Sequence, residues 1–78
     1  MFKIKLSVAG DVAGAIGFEP AGMFYELAYG ECIYVHLNAS QMEALEVTYW
    51  DGGISVWIQG EFVILDKAGK KLDDLWGG

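Results

Sequence analysis

Phe2, Ile4, Leu6 and Val8 alternate with Lys3, Lys5 and Ser7, which is the period of two expected of a strand with one buried face. That alternation predicts a first strand. Gly10, Gly14, Gly17 and Gly22 punctuate the next stretch, which also holds Pro20, so residues 10–22 read as a long loop with room for one helical turn after Asp11. Residues 23–28 and 31–37 then form two β-prone runs around Tyr29 and Gly30, and a tight hairpin is expected there. Asn38 or Ser40 can accept a hydrogen bond from the free amides of a following helical turn, and residues 41–45 are the only segment made of good helix formers. The helix must be short. Val47, Thr48, Tyr49 and Trp50 are β-branched or aromatic and lead directly into Asp51 and Gly52.

Asp followed by Gly suits a type I′ turn, whose twist matches that of paired strands. With Asp51 and Gly52 as a two-residue loop, Tyr49 faces Ile54, Val47 faces Val56 and Leu45 faces Ile58 on one side of the ribbon, while Thr48 with Ser55 and Glu46 with Trp57 take the other. A three-residue loop pairs Tyr49 with Ser55 and mixes the faces; moving the loop to Gly52 and Gly53 preserves them. Gly60 marks a further reversal that places Val63 and Leu65 on the face of Val56 and Ile58, giving a three-stranded meander. Asp66 and Gly69 occupy the first and fourth places of a type I turn, after which residues 70–76 form a last short strand. The expected fold is mainly β, a small antiparallel sheet or barrel of about six short strands with one short helix. The alternative is an α+β arrangement with the helix packed on a twisted antiparallel sheet.

The second face of that meander holds Trp50, Trp57, Phe62 and Ile64, so neither side of the sheet is cleanly polar. Either a barrel wall, second sheet or helix covers both faces, or an aromatic patch rimmed by Glu46, Asp51 and Glu61 is exposed, with the composition of a protein-binding hot spot. Composition bears on this choice. The chain has 78 residues, 54% of them hydrophobic, with 11 glycines; a single domain this small cannot bury so much apolar surface, and the excess marks a partner or subunit contact. Cys32 is the only cysteine and His36 the only histidine, so neither an intrachain disulfide nor a Cys/His zinc site can act as a staple.

Net charge is −6, and its distribution is uneven. All five bases lie near the ends, as Lys3, Lys5, Lys67, Lys70 and Lys71, whereas residues 6–66 carry nine acids and no base. Phosphates are neutralised by Lys and Arg, so this body would repel nucleic acid and an anionic membrane surface while attracting a basic protein. No stretch approaches the roughly 20 apolar residues of a membrane span, and the start resembles no signal peptide, which makes a cytoplasmic location the expectation.

Catalytic and ligand signals are sparse. Cys32 and His36 share one strand face, but four residues along a strand span about 13 Å, too far for a nucleophile and its base. The carboxylates are scattered singly with no calcium-loop spacing, and Gly10, Gly14 and Gly17 lack both the dinucleotide pattern and the lysine of a phosphate loop. No catalytic, metal or cofactor residue is assigned. The terminal Gly77–Gly78 resembles the tail of ubiquitin-like sulfur carriers, a likeness of two residues that implies activation at that terminus.

The leading expectation is a non-enzymatic interaction module. It would be a small acidic inhibitor or adaptor, comparable in size and charge to immunity proteins and phage anti-defence proteins, docking a basic protein partner through Trp50, Trp57, Phe62, Glu46, Asp51 and Glu61. A homo-oligomer, in the simplest case a homodimer, and the sulfur carrier are the alternatives.

Overall fold

The computed structural model describes residues 1–10 and 13–75. In chain order the elements are β1 (Phe2–Ser7), β2 (Gly14–Glu19), β3 (Met23–Leu27), β4 (Cys32–Leu37), α1 (Ala39–Ala44), β5 (Glu46–Trp50), β6 (Gly53–Trp57), β7 (Phe62–Asp66) and β8 (Lys71–Leu75). They form two four-stranded sheets, the first in the order β1-β4-β7-β8 and the second in the order β3-β2-β6-β5. Both sheets are open, not closed into a barrel. Neighbours run antiparallel except β2 and β6, which are parallel. Among the described residues no helix is long and apolar enough to cross a membrane.

Alternation along the strands builds one core between the two sheets. Ile33, Val35 and Leu37 of β4 and Phe62 and Ile64 of β7 meet Ile16 and Phe18 of β2, Leu27 of β3 and Val56 of β6, with Ile58 just beyond β6. Phe18 bridges the layers, its ring centroid 5.7 Å from that of Phe62, while Tyr25 meets it edge-on at 6.0 Å. Each such side chain, when fully buried, contributes about 1.5–3 kcal/mol relative to exposure.

One end of this core is closed by α1. Asn38 caps the helix: its side chain accepts from the Gln41 amide and the Gln41 side chain accepts from the Asn38 amide, both at 2.8 Å. Ser40 is not the cap. Gln41 is itself buried, and its Nε2 donates to the carbonyls of Gln59 at 2.7 Å and Glu61 at 2.6 Å. The Gln41 side chain therefore links the helix cap to the turn around Gly60.

The Asp51–Gly52 register is as expected, with Tyr49 opposite Ile54, Val47 opposite Val56, Thr48 opposite Ser55 and Glu46 opposite Trp57. The turn type differs. Asp51 keeps a negative φ and only Gly52 is positive, at 101°, which is the sign pattern of a type II turn, not type I′. At residues 66–69 the expected turn forms, with the Gly69 amide donating to the Asp66 carbonyl at 3.0 Å and the Asp66 carboxylate accepting from Ala68 and Lys70.

Three connections depart from the sequence expectation. Residues 14–19 are a strand, not part of a long loop, and β2 is the most buried element of its sheet. Its glycines fit a strand because neighbours occupy the space of their missing side chains: a Cβ on Gly17 would strike the Phe24 ring, and one on Gly14 would lie 3.3 Å from Val8 Cγ2. The turn at Tyr29–Gly30 is no hairpin. Two backbone bonds tie this turn to the end of β1, with Val8 donating to the Glu31 carbonyl and Gly30 to the Val8 carbonyl. β4 is thereby directed into the first sheet while β3 stays in the second. The three-stranded meander is likewise absent, because β5 and β2 already occupy both edges of β6 and β7 must join the other sheet.

Candidate functional site

Side chains alternate across a strand, so the inward set of the second sheet leaves a second set facing outward. The register aligns the outward set in rows: Glu26, Ala15, Gly53 and Trp50; then Phe24, Gly17, Ser55 and Thr48; then Glu19, Trp57 and Glu46. Small residues occupy the middle of the sheet, and aromatic rings lean over them. Phe24 lies over Gly17 and meets Trp50 edge-on at 6.4 Å between centroids. Trp50 lies against Gly53, where a Cβ would come within 3.0 Å of the indole.

Both indole N–H groups are engaged within this face. Trp50 Nε1 donates to Ser55 Oγ at 3.0 Å and Trp57 Nε1 to Thr48 Oγ1 at 3.1 Å. What the indoles offer to solvent is apolar ring surface, held in place by those bonds. The exposure is substantial, 41% for Trp50, 39% for Trp57 and 59% for Phe24. Among the described residues no layer covers the face.

The electrostatics divide by sheet. Every base belongs to the first sheet or its last turn: Lys3 and Lys5 in β1, Lys71 in β8, and Lys67 and Lys70 between β7 and β8. The strands of the second sheet contain Glu19, Glu26 and Glu46 and no base, and Asp51 sits at its β5–β6 turn. Charge that is separated along the sequence is thus separated in space.

Of the six residues expected to form a site, Trp50, Trp57 and Glu46 share this outer face and Asp51 adjoins it. Phe62 does not belong to it. At 4% exposure it is a core residue of β7, because the chain changes sheets at Gly60 and the parity that would have put it beside Trp57 no longer applies. Ile64 is buried in the core for the same reason. Glu61 is exposed but stands on the β6–β7 connection, away from the aromatic rows. Sequence reasoning missed Phe24, Glu19 and Glu26; the alternation of Met23, Tyr25 and Leu27 with Phe24 and Glu26 is the signal that places the latter pair outward.

A concavity of about 800 Å³ opens beside α1, lined among others by His36, Ser40, Gln41, Gly60, Glu61 and Phe62. Gln41 is committed to the cap and the turn. Cys32 shares the outward face of β4 with His36, but the strand rise separates them by about 13 Å. Among the described residues no group of three His, Cys, Asp or Glu is placed to hold a metal ion. Trp76, Gly77 and Gly78, with the proposed carrier tail, lie outside the described residues, as does Asp11.

Comparison of the chain with protein-family models, with curated proteins and with solved structures finds no match.

Proposed function

We propose that this chain is a non-enzymatic interaction module, a small inhibitor or adaptor, whose second sheet docks a basic protein partner with its outer face. The observation that supports this is the coincidence, on one uncovered sheet face, of Trp50, Trp57 and Phe24 with Glu19, Glu26 and Glu46 and no Lys or Arg. Fixed indole faces attract Lys and Arg side chains, with about 0.5–2 kcal/mol per contact depending on desolvation. The surrounding carboxylates raise the local concentration of a cationic surface and repel nucleic acid. Rigid aromatic anchors within a polar rim are the arrangement that concentrates binding energy.

Affinity capture from the native host, comparing wild type with Trp57→Ala, followed by titration of the purified partner, tests this reading. The expected partner is basic, is lost with Trp57→Ala, and binds more weakly to a Glu19→Gln, Glu26→Gln, Glu46→Gln triple variant and at higher salt. A partner whose affinity is indifferent to both variants would show that the face is not the docking surface.

A further inference from the structure

β5 is an edge of the second sheet, and it lacks what protects the other edges. β1 carries Lys3 and Lys5 within it, β3 carries Glu26, and β8 begins with Lys71 and has an irregular register against β7. Charges and bulges of that kind discourage a second strand from adding. β5 has its only charge at its first position, Glu46, and continues as Val47, Thr48, Tyr49 and Trp50 in regular register. All five residues are exposed, Tyr49 at 86%.

The backbone of this edge has a defined polarity. In a two-residue hairpin the residues flanking the loop exchange hydrogen bonds, and such pairs alternate along the ladder. Trp50, Thr48 and Glu46 therefore spend their amides and carbonyls on Gly53, Ser55 and Trp57, whereas Val47 and Tyr49 point theirs away from the sheet. This outward pair makes the strand self-complementary. Turned antiparallel about Thr48, a second β5 sets Val47 opposite the partner's Tyr49, both outward-pointing, so each pair can exchange both N–H to C=O bonds.

We propose that β5 pairs with β5 of a second copy about a two-fold axis at Thr48, giving a dimer with one sheet running through both chains. Side chains agree with that register. Val47 and Tyr49 of each chain would form one apolar cluster on the inward side, where the monomer leaves them uncovered. Glu46 would lie opposite the partner's Trp50 and Asp51 opposite the partner's Leu45, so no carboxylate faces another across the axis. The contact uses the strand edge and does not rest on the docking reading of the outer face; it would set two such faces side by side.

The two proposals differ in sign towards salt. Two chains of charge −6 repel, so screening strengthens the dimer and weakens docking of a basic partner. Sedimentation equilibrium across concentration and salt should show a monomer–dimer equilibrium that tightens with salt. Val47→Lys with Tyr49→Lys opposes like charges and should weaken dimerisation by about tenfold or more, while Val47→Lys with Tyr49→Glu opposes unlike charges in the same register and should restore it. Thr48→Cys in a Cys32→Ser background should form a disulfide-linked dimer on oxidation, since the Cα atoms of a non-hydrogen-bonded pair are about 4.5 Å apart. A monomer at every concentration and salt, a dimer indifferent to both double variants, or no crosslink through Thr48→Cys would each overturn the proposal. The crosslink decides the matter even where a charged variant loses its fold.

Discussion

β2 and β5 lie in the same sheet with only β6 between them, and they live in opposite environments. β2 contains Gly14, Ala15 and Gly17, pairs on both sides, and buries Ile16, Gly17 and Phe18. β5 is, after Glu46, made of β-branched and aromatic residues, pairs on one side, and buries none of its five. Small residues mark the strand on which others converge, because Phe24 and Trp50 need room to lie across the middle of the sheet. Large residues mark the strand at its margin. A strand's composition thus reports the space around it as much as its tendency to be extended.

The contrast breaks most sharply at Phe18, which has no exposed surface and joins both layers. Phe18→Ala should cost about 3–5 kcal/mol, close to the whole stability of a domain this size. Urea denaturation measures it. A loss below about 1 kcal/mol would mean that β2 is not the centre of the core.

Gly53 tests the same idea through the backbone. A Cβ there would collide with the Ala15 carbonyl oxygen and stand 3.0 Å from its carbon, and a carbonyl engaged in a sheet cannot swing aside. Gly53→Ala should therefore cost about 3 kcal/mol by overpacking. Gly17→Ala meets only the ring of exposed Phe24, which can turn away. Thermal melts of the two variants should rank in that order, and equal losses would show that the β2–β6 contact is not tight.

Gln41 sharpens the comparison from outside the sheet, since two of its hydrogen bonds hold the crossing from the second sheet to the first and two close the helix cap with Asn38. Gln41→Ala leaves the Gln59 and Glu61 carbonyls and the Asn38 amide without their partner and should cost about 2 kcal/mol. Amide exchange should rise first around Gly60. Uniform exchange across the molecule would instead point to a general loss of packing.

How much of this was legible follows from the range of the signals. Local ones read well: the alternation of Phe2 to Val8, the helix cap narrowed to Asn38 or Ser40, and the Asp51–Gly52 register that put Trp50 and Trp57 on one side. Signals that depend on the other sheet did not. Gly60 reverses the chain in either topology, and only the occupied edges of β6 send Phe62 into the core. The glycines of β2 looked like loop residues because the ring that fills the space above Gly17 belongs to Phe24 on another strand. The charge division was visible along the chain, but its meaning, one sheet without a base, needed the strand order.

The smallest expected effect completes the contrast. Tyr49 is aromatic, sits mid-strand and faces the same side of the sheet as Ile54, so by composition it belongs with the core. Yet it is more exposed than either Val47 or Trp50 of the same strand. Tyr49→Thr replaces one good strand former with another, a β-branched one, and removes almost no buried area, so the monomer, melted at concentrations too low to dimerise, should change by less than about 0.5 kcal/mol. At higher concentration the same variant should lose the concentration dependence of its melting temperature, because a partner bound only to the folded state stabilises it by mass action. A large loss in the dilute monomer would mean that β5 packs inward after all, and the difference between the two strands would be one of degree.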